Sequence, residues 1–195
     1  MSKLITVIFF ILWFPFCFAQ QQETPSLLVV DSLWAKEIFK FPIHFAPELN
    51  YIGFEEAYFP KDWSDQNSPD YWSYVFVWNI EGKSPINEAI LEHNLQFYFD
   101  GLMNVVNKDK DFEVPKSTIV FVENLETSYT SYKGKVRLFN SFHTKRMMTL
   151  NALVSVFYCE DLEKTFVFFR FSPSDYDTEI WKTLLKIKPS DNICD

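Results

Sequence analysis

The sequence predicts an α+β fold: a single antiparallel sheet of about six to seven strands, covered by one long central helix and a C-terminal helix. Three observations carry that expectation. Two segments hold apolar residues at helical spacing, and a larger number of short runs alternate apolar and polar residues at period two. The short runs are rich in aromatic and β-branched side chains, which suit a pleated surface. Consecutive runs in the second half are joined by brief turns, a pattern that antiparallel strands can use and parallel strands cannot.

The elements follow in order. Leu27 to Val30 starts a first strand, and Glu37 to Phe45 alternates apolar residues around Pro42, which demotes it to an edge or irregular strand. Gly53 to Phe59 and Tyr71 to Ile80 read as firm strands. Between them Pro60 to Asp70 is dense in turn formers and is predicted to be a loop. Ser84-Pro85 resembles a helix start, with Ser at the N-cap, Pro in the first turn and Glu88 near the positive end of the dipole. Ile90, Leu91, Leu95, Tyr98, Leu102 and Val105 then keep helical spacing, so Pro85 to Asn107 is predicted as one amphipathic helix. Four strands follow: Pro115 to Leu125, Lys133 to Phe142 with Lys135, Arg137 and Asn140 turned outward, Met148 to Glu160, and Thr165 to Phe171. Ser172-Pro173-Ser174-Asp175 is predicted to cap the closing helix, whose stripe is Tyr176, Ile180, Leu184 and Ile187 and which Pro189 stops.

The N-terminus has the build of a secretory signal. Met1-Ser2-Lys3 is a short basic start, Leu4 to Phe14 is an uninterrupted apolar run, and Cys17-Phe18-Ala19 ends it with small residues at the first and third positions. The run is shorter than the roughly 20 residues a membrane span needs. Cleavage after Ala19 is expected, giving residues 1–19 as signal peptide, 20–26 as a disordered mature N-terminus and 27–195 as one α+β domain. The alternative is retention as an uncleaved anchor. The expected location is therefore the periplasm or the extracellular space, with no integral membrane span after cleavage. Once Cys17 leaves, Cys159 and Cys194 form an even pair in an oxidising compartment, and a disulfide between them is expected. The alternative is a buried Cys159 and a dangling Cys194.

Charge and composition exclude several functions. A formal net charge of −8 disfavours nucleic acid and anionic membrane surfaces, both of which need Lys and Arg. Only four glycines, at 53, 82, 101 and 134, are available, and they build no phosphate-cradling loop, so no nucleotide or other cofactor is expected. His44, His93 and His143 lie on different elements without metal-ligand spacing, and no metal site is predicted.

Two groups of residues remain as candidate sites. Glu55 and Glu56 are adjacent carboxylates on a predicted strand, which places them on opposite faces. They cannot flank one glycosidic bond together. Either could act with Asp62, Asp65 or Asp70 from the loop, or be ordinary surface charge. The second group is aromatic, in a chain that is 19% Phe, Trp and Tyr. Alternation along the strand puts Trp72, Tyr74, Phe76 and Trp78 on one face, which fits packing under a helix. Trp63, Tyr71 and Trp72 at the loop would otherwise form a platform for a sugar ring or an apolar ligand, since Trp and Tyr suit half-wet contacts. No catalytic residue is identified.

The run Phe41-Pro42-Ile43-His44-Phe45-Ala46-Pro47-Glu48, followed by Gly53-Phe54-Glu55-Glu56, Trp63 and Tyr71-Trp72-Ser73-Tyr74-Val75-Phe76-Val77-Trp78, resembles an uncharacterised family of exported Bacteroidota proteins. The similarity continues through Tyr98-Phe99-Asp100-Gly101-Leu102 and Ile180-Trp181-Lys182. It implies export and transfers no catalytic residue. In architecture, strands followed by a long helix, more strands and a final Ile-Trp-x-x-Leu helix resemble the Mog1/PsbP-type α/β/α sandwich, whose members are mostly binding or assembly modules. The functional expectation is a non-catalytic module of the cell envelope that binds an unknown protein or glycan partner. The alternative is a hydrolase of envelope or extracellular polymers, acting through carboxylates of the 55–70 segment.

Overall fold

The computed structural model describes residues 26–108, 112–127 and 129–194. The expected signal peptide and residues 20–25 lie outside the described residues. The chain runs β1 (Leu28–Val29), β2 (Ala35–Lys40), β3 (Gly53–Phe59), β4 (Tyr74–Glu81), α1 (Glu88–Val106), β5 (Thr118–Glu123), β6 (Ser131–Phe139), β7 (Met147–Cys159), β8 (Lys164–Ser172), α2 (Glu179–Lys186) and β9 (Lys188–Pro189). Seven strands form one antiparallel sheet in the order β2-β3-β4-β8-β7-β6-β5, and β1 pairs with β9 in a separate two-stranded ribbon. The fold is α+β, as the sequence predicts.

The topology is two meanders meeting in the middle. β2, β3 and β4 run inward from one edge. α1 then crosses to the far edge, and β5 to β8 return until β8 pairs with β4, Phe76 opposite Phe169. The two central strands are buried on both faces. On the inner face, under α1, lie Tyr74, Phe76, Trp78, Phe169 and Phe171 with Leu95, Tyr98 and Phe99 of the helix. On the outer face Val75, Val77, Phe166 and Phe168 pack against Ile180, Trp181 and Leu184 of α2. The predicted alternation along β4 is therefore present, with both faces covered, each by one helix.

Both helices begin later than the cap signals suggest. Asn87 is extended and its Oδ1 accepts from the Ile90 N–H at 3.0 Å, so α1 starts at Glu88. Ser84 is instead tied to the sheet, its N–H donating to Thr165 Oγ1 at 2.9 Å. Within α1, Phe99 and Met103 face the core and Val105 points to solvent. The helix has 19 residues. The closing helix starts after Thr178, because Ser172 still belongs to β8. Asn140, expected outward, is fully buried: its Nδ2 donates to the Tyr71 hydroxyl at 2.8 Å and its Oδ1 accepts from the His143 N–H at 2.9 Å. These bonds hold the β6–β7 turn against the 60–73 loop.

The strand expected from Glu37 to Phe45 stops at Lys40 and lies at the sheet edge. Cys159 and Cys194 are joined, with Cα atoms 5.3 Å apart. With the β1–β9 ribbon, this bond fastens the C-terminal segment to the outer face. No helix among the described residues is long and apolar enough to cross a membrane.

Candidate functional site

The 60–73 loop closes on itself through local backbone bonds. Trp63 N–H donates to the Pro60 carbonyl at 3.1 Å, Trp72 N–H to the Trp63 carbonyl at 2.8 Å and Ser73 N–H to the Asp70 carbonyl at 2.9 Å. Trp72 adopts φ +52°, a left-handed conformation unusual for so bulky a residue. The conformation turns the chain at the entry to β4 while its indole is almost wholly buried. Trp63 stays half-buried and meets Trp72 edge-on, with centroids 6.3 Å apart at 74°.

Beside this pair is a pocket of about 170 Å³. Eight of its eleven lining residues are aromatic: Phe39, Phe45, Phe59, Trp63, Trp72, Tyr74, Tyr98 and Phe142, joined by Ala35, Glu37 and Leu102. The sequence segments that meet here are distant. Phe39 and Phe59 come from β2 and β3, Tyr98 from α1, and Phe142 from the β6–β7 turn, 6.0 Å from Trp63 between ring centroids. Tyr74, Tyr98, Trp72 and Phe45 are buried, whereas Ala35, Glu37 and Phe142 are exposed. The opening is thus edged by Glu37, the one ionisable carboxylate of the lining.

Behind Tyr98 sits Glu55, with no exposed surface. Its Oε1 accepts from the Tyr98 hydroxyl and its Oε2 from Trp78 Nε1, each at 2.8 Å. Burial pushes its carboxyl up to about 7, against the lowering effect of those two donors, and the negative charge of Glu37 pushes the same way. The same burial raises the Tyr74 and Tyr98 hydroxyls well above their ordinary range. The Tyr74 and Tyr98 hydroxyls of the wall are therefore neutral at neutral pH, and burial disfavours the charged form of Glu55 beneath them.

Glu56, one residue on, faces the other side of the sheet as strand geometry requires. It is also buried, and it ion-pairs with Lys36 Nζ at 2.9 Å while accepting from the Tyr58 hydroxyl at 2.7 Å and the Leu27 N–H at 2.8 Å. The reading of the pair as ordinary surface charge is thus corrected. Both are interior carboxylates with full hydrogen-bond partners, one in each core layer. Asp62 and Asp65 are exposed, and Asp65 Oδ1 accepts from the Asn67 N–H at 2.9 Å. None of Asp62, Asp65 and Asp70 lines the pocket.

The three aromatic candidates separate in the same way. Trp63 and Trp72 line the pocket, and Tyr71 does not; its ring lies 6.1 Å from His143. Trp63, Tyr71 and Trp72 form no single flat platform. The site is instead a concave pocket that adds Phe142, Tyr98 and Glu37. Nothing local in the sequence marks these three; an apolar Phe142 within an otherwise polar turn is the one hint. Among the described residues no group of His, Cys, Asp and Glu converges as a metal site would require. Comparison with protein-family models, with curated proteins and with solved structures finds no match to this chain.

Proposed function

We propose that the chain is a non-catalytic binding module of the cell envelope, and that the aromatic pocket beside Trp63 takes one ring of a ligand or partner. The observation that carries this reading is the pocket itself, an opening walled by eight aromatic rings with a single carboxylate at its edge. A volume near 170 Å³ matches one six-membered ring, comparable to the roughly 150 Å³ cavity that holds benzene. Aromatic walls favour the apolar face of a sugar or an aromatic group, and Glu37 favours a ligand that brings hydroxyl or ammonium donors to the rim. The N-terminal apolar run and the Cys159–Cys194 bond support placement outside the cytoplasm, in the periplasm or beyond the cell. Mog1/PsbP-type binding modules are the architectural analogy for this role.

Tryptophan emission supplies the test, because Trp63 and Trp72 both line the opening. Titration with a panel of glycans and small aromatic amines should quench or shift emission saturably for at least one class. Trp63→Ala should remain folded and lose at least tenfold in affinity for that ligand. Equal affinity in the variant removes the pocket as the binding site.

A further inference from the structure

The outer face of the sheet is only half covered. α2 has eight residues and packs over β8 and its neighbours, while β5 and β6 leave Val120, Val122, Lys133 and Lys135 exposed. Where α2 ends, a second pocket of about 330 Å³ opens between β7, β8 and β9. Phe157, Phe168, Leu185 and Pro189 give it apolar walls, and Arg170 and Lys188 are its two cations. Alternation along β8 places Arg170 on the same face as Phe168, opposite the aromatic pocket.

Arg170 is 8% exposed and forms no ion pair among the described residues. Its Nε donates to the Leu184 carbonyl at 3.0 Å and its Nη2 to the Ile187 carbonyl at 2.9 Å, at the negative end of α2. The guanidinium lies over the Phe168 ring, 3.8 Å from its centroid. These contacts fix the group in one orientation but provide no counter-charge, and its Nη1 has no acceptor among the described residues. Burial accordingly pulls it down to about 10. Buried charges are ordinarily paired, and a clamped guanidinium presents a planar fork that suits a carboxylate. The apolar walls call for an apolar body on the same ligand.

We infer that the Arg170 pocket binds the carboxylate of a small organic acid carrying an apolar ring or short chain. The carboxylate meets the free edge of the guanidinium, Lys188 adds a second positive charge, and the body lies along Phe157 and Leu185. The apolar walls, which have nothing to offer the remaining oxygens of a phosphate, favour a carboxylate with an apolar body over inorganic phosphate.

The experiment follows the Arg170 Nε–H signal in ¹H–¹⁵N spectra of the protein during titration at constant ionic strength. Benzoate, benzamide and inorganic phosphate are the three probes. A saturable shift with benzoate, at least tenfold weaker with benzamide and with phosphate, is expected. Lys188→Met, at an exposed position that leaves Arg170 in place, should weaken benzoate binding by about three- to tenfold. Absence of a saturable benzoate shift overturns the inference, as does equal binding of benzamide, which would make the pocket merely apolar. Phosphate binding tighter than benzoate overturns the carboxylate assignment, and an unaltered benzoate affinity in Lys188→Met overturns the two-cation site.

Discussion

Glu55 makes the stability of this fold depend on pH in a direction opposite to that of most carboxylates. In the unfolded chain its carboxyl titrates near 4.5, and in the folded protein burial moves it to about 7. The native state therefore holds a proton that the unfolded state has released throughout the interval between those values. Stability falls as pH rises across that interval and levels off above it. A tenfold change in acidity corresponds to about 1.4 kcal/mol, so ionised Glu55 costs the native state about 3 kcal/mol at pH 8. Glu55→Gln isolates the effect. The amide oxygen can accept from Trp78 Nε1, and the amide NH₂ can donate to the Tyr98 hydroxyl, which turns to accept it. Urea unfolding of both proteins between pH 5 and pH 8, with the disulfide intact, should show the variant gaining on the parent by about 2–3 kcal/mol over that range. A difference between the two that stays constant with pH would refute the assignment of a raised carboxyl to Glu55.

Two further perturbations test the frame. The Cys159–Cys194 bond closes a separation of 35 residues, so Cys194→Ser should lower unfolding free energy by about 3–4 kcal/mol; an unfolding midpoint insensitive to the bond would show the tail contributes little. Gly101→Ala should destabilise by about 3 kcal/mol or more in urea unfolding, since the added Cβ would stand 1.7 Å from the Phe45 carbonyl oxygen, far outweighing the roughly 1 kcal/mol gain in helix propensity. A neutral or stabilising result there would mean that α1 and the 41–50 segment do not approach so closely.

Much of the fold was legible because its signals are local. Period-two runs in β3, β4, β7 and β8 mark strands whatever surrounds them, and the strand predicted over Gly53–Phe59 has those very limits in the structure. Helix starts were less legible. Ser84-Pro85 is a sound cap signal, but the Ser84 N–H gains more by joining Thr165 across 81 positions, and the cap passes to Asn87. The fate of Glu55 and Glu56 was half legible. Strand geometry requires opposite faces, yet nothing in two adjacent acids reveals that both faces are buried. That follows from α1 and α2 each covering one side of the central strands.

The candidate site shows the same division. Trp63 and Trp72 stand out by composition, but their roles differ because only the Trp72 indole is buried in the core. Phe142 and Glu37 join them from 70 or more and 26 or more positions away, brought there by the β6–β7 turn and the edge strand. Arg170 is a further case: nothing in the Thr165 to Phe171 run marks its fate, and the structure buries it against the end of α2. By itself the sequence determined the α+β class, the identity of most strands, the cysteine pair and the two-faced alternation of β4, because each depends on spacing along the chain. Tertiary structure alone decided which faces are covered, which acids and which arginine are desolvated, and where pockets open. Those outcomes depend on contacts between segments whose sequence separation carries no signal, and burial is a property of the whole assembly of layers.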